Sequence, residues 1–267
     1  MNYTIKDFRS EFPDEKACLD YIFHKKYPDL KGYYFVKGRK CYANAQGKQI
    51  HPVKGTIFEH SSTPLTLWFY AIYLFSVSRN GVASRELQRQ LGVTLKTAWR
   101  MGYQIRKLME QNGDMLSGVV EADETYYGGV RRTNVRMENK TPIVGAVERG
   151  GSVKANILLN KSERSIAPFI EKNVKMGSSL ITDEAPVYKG IGGYTHGTIN
   201  HSKRQYAADN IHTNTIEGFW SQLKRSLHGT HHSVSRKHLQ SYVNEFSFRY
   251  NRRASSFSVF GEMMGRI

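Results

Sequence analysis

Residues 118–128 read GVVEADETYYG, residues 141–151 TPIVGAVERGG and residues 153–160 VKANILLN. Each is a short run rich in β-branched and aromatic side chains, bounded by glycine-containing turn signals, so the three are predicted to be consecutive, hairpin-linked strands. Further on, SERSIAPFIEKNV (162–174) predicts a helix, SSLITDE (178–184) a fourth strand ending in acid, and HGTINH (196–201) a fifth short strand. A long helix follows from about Thr213 to Leu227, and another from about Ser235 to Asn251. Strands and helices alternating in this way predict an α/β unit.

Upstream of that unit the chain has a different texture. DEKACLDYIFHKKY (14–27) reads as a short helix ending before Pro28, and KGYYFVKGRKCYANAQGKQIHPVKGTIFE (31–59) as a small β-ribbon punctuated by Lys-Gly pairs. Ser62-Thr63-Pro64 offers a capping hydroxyl and a first-turn proline to the apolar run LTLWFYAIYLFSV (65–77). That run is well short of the roughly 20 residues a membrane-spanning helix needs, so it reads as a buried helix. SRELQRQLGVTLKTAWRMGYQIRKLM (84–109) reads as two helices broken at Gly92, with Ser84 and Thr94 as candidate caps. This is the pattern of a helix-turn-helix, whose second helix would carry Lys96, Thr97 and Arg100 into a DNA major groove. Helical hairpins with a glycine turn are also common without DNA, and the pattern alone leaves both readings open. The expected organisation is a helix and ribbon over 1–60, a helix-turn-helix region over 61–115 and the α/β unit with its C-terminal helices over 116–267.

The chain has 267 residues, 39 Lys and Arg against 23 Asp and Glu, and a formal net charge of +16. Residues 1–116 hold 18 basic and 10 acidic side chains, 117–200 hold 11 and 9, and 201–267 hold 10 and 4. Two basic flanks around a near-neutral middle point to a polyanionic partner, and nucleic acid is the commonest one. The 39% hydrophobic content argues against wholesale disorder. Cys18 and Cys41 are the two cysteines, too few for a disulfide framework or, alone, for a tetrahedral zinc site. With a polar N-terminal stretch, they lead to the expectation of a cytoplasmic protein associated with the nucleoid.

Three acids stand at telling places: Asp123 within the first strand, Asp183 at the end of the fourth, and Glu217 on the helix beginning near Asn214. The element order is that of a ribonuclease-H-like α/β fold, and in such a fold neighbouring strand ends and the facing helix would bring the three together. Converging carboxylates repel and hold protons unless a cation stands between them, and hard divalent ions prefer oxygen ligands of this kind. Two such ions about 3.5–4 Å apart can activate an attacking oxygen and stabilise a leaving one in phosphodiester displacement. Along the helix, Ile216, Phe219, Trp220, Leu223 and Leu227 form a core-facing stripe, beside a polar stripe of Asn214, Glu217, Ser221 and Lys224. Lys224 lies two turns from Glu217, about 10 Å along the axis, a distance suited to gripping DNA whose scissile phosphate lies at the metals. Spacing alone is equally compatible with ordinary solvated charges, and for Asn214 a helix cap is the default reading.

The segments VEADETYYGG (120–129), LITDEAPVY (180–188), HTNTIEGFWSQLKRSLHGTHH (212–232) and KHLQSYVNEFSFRYNRR (237–253) resemble the core of bacterial insertion-sequence DDE transposases of the ISXO-like, Merlin-related group. GTIFEHSSTPLTLWFYAIYLF (55–75) resembles the N-terminal segment of that group. The resemblance implies a ribonuclease-H-like DDE catalytic domain behind an N-terminal ribbon and helix-turn-helix. It implies that Asp123, Asp183 and Glu217 are the catalytic and metal-binding acids, holding two Mg²⁺ (or Mn²⁺) ions. It puts a basic residue that holds DNA at Lys224, followed by Arg225. Glu121, Glu124 and Glu184 are neighbours that the family pattern does not select, and they are expected to be supporting or structural.

The implied activity is binding of an element's terminal inverted repeats, then metal-dependent strand cleavage and strand transfer into target DNA. Synapsis of two ends implies a homodimer or larger assembly on double-stranded DNA. A domesticated transposase acting as a DNA-binding regulator and a nuclease without strand transfer are the competing readings, and the three acids in undamaged motifs argue against the first. One departure matters: relatives carry paired Cys-x-x-Cys knuckles before the GTIF segment, whereas CYANAQGKQIHPVKGTIF (41–58) offers Cys41 alone. A metal-free ribbon packed by Tyr33, Tyr34, Phe35 and Tyr42 is expected, without zinc. Seven of the ten histidines fall within 196–238, but the adjacent pair His231-His232 suits a loop better than a ligand set. His201, His212 and Asn210 are read as DNA or supporting contacts, and Trp68, Trp99 and Trp220 as core.

Overall fold

In the computed structural model, the apolar run Leu65–Val77 is a buried helix of one compact unit, and the hairpin-linked strands are the middle of another. The structure describes residues 3–111, 113–128, 140–158, 163–183, 186–188, 190–199, 212–254 and 258–267. One unit comprises Met1–Leu108 with Ser255–Ile267, the other Met109–Ala254. The chain is therefore mixed α/β, with a mixed sheet in the second unit.

The first unit contains α1 (Ile5–Glu11), α2 (Glu15–Lys26), β1 (Tyr33–Phe35), β2 (Tyr42–Asn44), β3 (Gln49–Ile50), α3 (Leu65–Val77), α4 (Ser84–Leu91), α5 (Leu95–Lys107) and α9 (Val259–Gly265). Helix α3 buries Leu65, Trp68, Phe69, Ala71, Ile72 and Phe75, as expected of a helix with little polar surface. Its cap is not the one expected. Neither Ser62 nor Thr63 caps it; instead Glu15 Oε2 accepts from the backbone N–H groups of Leu65 at 2.7 Å and Thr66 at 3.3 Å. A carboxylate from another helix thus satisfies two orphan donors and complements the helix dipole. The last helix, which the sequence reading did not name and whose residues fall within its 116–267 region, packs within this first unit, where Phe260 meets Phe8 and Phe12 edge-on. The ribbon strands pair antiparallel in the order β1-β2-β3. Tyr42 is buried and stacks on Phe23 with centroids 4.0 Å apart, while Tyr34 points outward.

The second unit contains β4 (Val119–Tyr127), β5 (Thr141–Glu148), β6 (Val153–Ile157), α6 (Glu163–Asn173), β7 (Ser179–Asp183), β8 (Thr195–Ile199), α7 (Asn214–Ser226) and α8 (Arg236–Asn251). The strand order is β6-β5-β4-β7-β8, with β4, β5 and β6 antiparallel and β7 and β8 joined in parallel to β4. Strand alternation divides the residues between two cores. Val120, Ala122, Val144, Ala146 and Leu180 pack with Ile166 and Ile170 of α6. Tyr127, Ile143, Val147 and Val153 pack on the opposite face with α7 and α8.

Strand β6 is a sheet edge, and its outward backbone groups are taken up by amide side chains. Gln111 accepts from Ala155 N at 2.9 Å and donates to Ala155 O at 2.8 Å. Asn251 does the same for Val153, at 2.7 and 3.0 Å, and Gln240 accepts from Ile157 N at 2.8 Å. Side-chain amides thereby stand in for a neighbouring strand along an otherwise unpaired edge.

Candidate active site

Strand β4 sets out its acids by simple alternation. Glu121 and Asp123 face α7, and Glu124 faces the α6 side. The parallel pairing of β4 with β7 runs Val119↔Ser179, Val120↔Leu180 and Glu121↔Ile181. Carried two residues further, that register sets Asp183 level with Asp123 on the same face. One carboxylate oxygen from each of Asp123, Glu124 and Asp183 lies within 4.8 Å of the others, and all three side chains are half-buried. Among the described residues this is the one group of three or more His, Cys, Asp or Glu side chains close enough to hold a metal ion.

The electrostatics of the group follow from its crowding. The Asp123 carboxyl is pushed up to about 6, first by burial and then by Glu124 and Asp183, while the Glu124 backbone N–H and the Trp220 indole pull the other way. The fully buried Tyr188 faces the same acids. Burial, followed by Glu124, Asp123 and Asp183, holds its hydroxyl protonated well above the usual phenol range. Oxygen donors with an excess of negative charge are the donor set that a hard divalent cation fits.

Trp220 is in the core as the sequence indicates, but it also touches the site: its Nε1 donates to Asp123 Oδ2 at 3.1 Å. The residue opposite Asp123 on β5 is Gly145. A Cβ there would lie 2.6 Å from the Trp220 ring, so the missing side chain leaves room for the indole that reaches Asp123.

Glu121 serves a different end. It is completely buried, yet Arg149 Nε (2.7 Å), Thr215 Oγ1 (2.8 Å), Thr215 N (2.8 Å) and Ile216 N (3.1 Å) all donate to it, and His212 Nδ1 lies 3.3 Å away. Arg149 also donates to the His212 carbonyl at 2.8 Å. The first turn of α7 is thus capped by a carboxylate from β4. Asn214, exposed at the head of the helix, is not the cap; Thr213 holds that position without a side-chain capping bond. Glu217 is exposed one turn before Trp220 and accepts from Thr213 Oγ1 at 3.2 Å; its carboxylate is not among the clustered three. Lys224 is half-buried and Arg225 exposed in the last turn of α7.

Of the other residues singled out in the sequence, Lys96 is exposed on α5. Thr97 joins the cap formed by Thr94, its N–H donating to Thr94 Oγ1 at 3.2 Å. Arg100 donates to the carbonyls of Glu59 at 3.0 Å and His60 at 3.3 Å. Trp99 departs from the core reading: it is 41% exposed. Glu184, His201 and Asn210 lie outside the described residues. Sequence reasoning missed the capping role of Glu121, the place of Glu124 in the acidic group, and the indole contact to Asp123. The first had a signal, because Glu121 and Asp123 share a strand face.

Residues 115–251, just over half of the chain, match the ISXO2-like transposase domain. The chain belongs to that family of DDE transposases. The chain is 25% identical over 216 residues to "Uncharacterized protein in transposable element ISH50" of Halobacterium salinarum, covering 73% of this chain and 72% of that one. A cryo-electron-microscopy structure of the simian T-cell lymphotropic virus intasome in complex with the PP2A regulatory subunit B56 gamma matches 66% of this chain and 66% of its own, at 13% identity and a TM-score of 0.32. That likeness is too distant to carry an argument about fold or function. Membership of a DDE transposase family implies divalent-metal chemistry on nucleic acid, and an acidic group able to take such an ion lies between the middle of β4 and the end of β7 within the matched residues. No helix among the described residues of this transposase is long and apolar enough to cross a membrane.

Proposed function

We propose that this transposase binds the terminal inverted repeats of its insertion sequence, cleaves a phosphodiester at the element end, and joins the freed 3′-hydroxyl to target DNA. The observation that carries the proposal is the placement of Asp123 and Asp183 on one face of adjacent parallel strands, beneath the helix that bears Glu217. The order of three antiparallel strands, a helix, two parallel strands and a helix supports a ribonuclease-H-like catalytic unit.

Asp123, Asp183 and Glu217 are the residues that would hold two Mg²⁺ (or Mn²⁺) ions, with Glu217 giving up its bond from Thr213. Bound there, the ions supply activation of the attacking oxygen and neutralisation of the phosphate charge. The rest falls to the protein's own groups. Trp220 fixes one oxygen of Asp123 and so orients the other. Glu121 anchors the first turn of α7 and with it Glu217. Lys224 and Arg225 grip the strand beyond the scissile phosphate. In the first unit, the α4–α5 pair acts as a helix-turn-helix that locates the ends, through Lys96, Thr97 and Arg100. Asn214, at the head of α7, contacts the DNA. Two copies or more act together on paired ends, at the nucleoid where the DNA lies. The test is a joining assay with labelled element ends, target DNA and Mg²⁺. Asp123→Asn is expected to bind ends as the wild type does and to join none; joining by that variant would refute the assignment.

A further inference from the structure

Helix α5 carries four basic side chains, Lys96, Arg100, Arg106 and Lys107, and no acid. Its buried stripe is Ala98, Met101, Gly102, Ile105 and Arg106. On another face, Lys96, Trp99, Tyr103 and Lys107 follow at i, i+3, i+7 and i+11, so they share one side of the helix. Trp99 is exposed and its ring lies parallel to that of Tyr103, with an interplanar angle of 2° and centroids 5.6 Å apart. Lys107 Nζ lies 5.3 Å from the Tyr103 ring centroid, and both lysines are exposed. The stripe therefore runs cation, aromatic pair, cation.

Trp99 and Tyr103 stand between two exposed cations on a side of α5 next to its buried stripe. Length and charge suit this side to duplex DNA. The α-carbons of Lys96 and Lys107 are about 16 Å apart along the axis, against a major groove about 12 Å wide, so cations at the two ends can meet phosphates on both rims. The aromatic pair between them then faces base edges. There the apolar feature to be met is the thymine methyl group, and an indole offers a broad apolar surface to it. Arg100 gives two of its five N–H donors to the carbonyls of Glu59 and His60 and keeps the others for DNA beside this stripe.

We propose that Trp99, supported by Tyr103, is a specificity-determining residue that reads thymine-containing steps of duplex DNA, while Lys96 and Lys107 hold the flanking phosphates. This deepens the reading of α5 as a recognition helix and rests on it. The test is selection from a random-sequence duplex library by the full chain and by its Trp99→Ala, Trp99→Phe and Lys96→Ala variants. The wild type should enrich a site with a thymine preference at one or two adjacent positions. Trp99→Ala should lose about tenfold of that preference there and keep it elsewhere, and Trp99→Phe should retain most of it. Lys96→Ala should select the same site, bind it more weakly, and lower the salt slope by about one. A second readout needs no variant. Trp68 and Trp220 are buried, so the selected duplex should quench and blue-shift the emission of the exposed Trp99. An unchanged thymine preference in Trp99→Ala, or unaltered emission on saturation, overturns the role of Trp99 while leaving α5 as a reader. Enrichment of no sequence by the wild type overturns the recognition-helix reading itself, and enrichment from a single-stranded library alone overturns the major-groove geometry.

Discussion

Glu121 and Asp123 are two residues apart on one strand and one sheet face, and both lie under α7, yet their surroundings oppose each other. Glu121 has no exposure at all but receives four hydrogen bonds, one of them from a guanidinium. Asp123 is less buried, receives the Glu124 backbone N–H and the Trp220 indole N–H, and faces two other carboxylates. Burial therefore does not mark the reactive acid. What separates the two is how far the protein supplies the compensating charge, which it does for Glu121 and does not for Asp123.

That contrast is broken most severely at Glu121. Glu121→Ala strands Arg149 and uncaps α7, and is expected to destabilise the second unit by about 3–5 kcal/mol, measured by urea unfolding. Glu121→Gln keeps an acceptor for the backbone donors and should cost less. Asp123→Asn should do the reverse in metal-free protein. The folded value of about 6 lies above the ordinary 3.8, so the metal-free fold is favoured at low pH and loses that contribution as pH rises through about 6. At pH 7 the substitution should add roughly 2–3 kcal/mol of stability in EDTA, an advantage that shrinks as pH falls through 6 and vanishes below the ordinary value of 3.8. Equal stability of the two proteins at pH 7 would show that burial and the neighbouring acids do not raise Asp123 as described.

Gly145→Ala should cost about 1–3 kcal/mol, because the new methyl group overlaps the Trp220 ring and one of them must shift. Trp220→Phe is the mildest of the four. It removes one donor, at about 1 kcal/mol, and should raise the Asp123 value further, as carbon-detected NMR of the carboxyl would show. A lower Asp123 value in Trp220→Phe would mean that the indole does not act on the carboxylate.

The hydrophobic alternation and turn residues made the five strands of the second unit, α6, α7 and α8 legible, because those signals are local. The caps were not. Ser62, Thr63 and Asn214 are residue types that cap helices, whereas the groups that cap α3 and α7 are Glu15 and Glu121, brought from distant sequence by the fold. Trp99 was misread by residue type rather than by position: it lies about 100° around the helix from Ala98 and beside Arg106, at the rim of the packed stripe rather than within it. Asp123 within the first strand and Asp183 at the end of the fourth could be picked out as acids that strand pairing would bring together. The indole on Asp123 could not, since nothing in the spacing of Trp220 distinguishes a purely apolar ring from one whose N–H is in use.

The amide side chains along β6 bear on how copies of the protein can meet. Proteins concentrated on one DNA molecule encounter one another at high local density, and a bare sheet edge would invite them to grow a continuous intermolecular sheet. Gln111, Gln240 and Asn251 already occupy the bonding positions that an incoming strand would need. Recruitment by strand addition on that side is closed, which leaves productive assembly to surfaces that do not propagate.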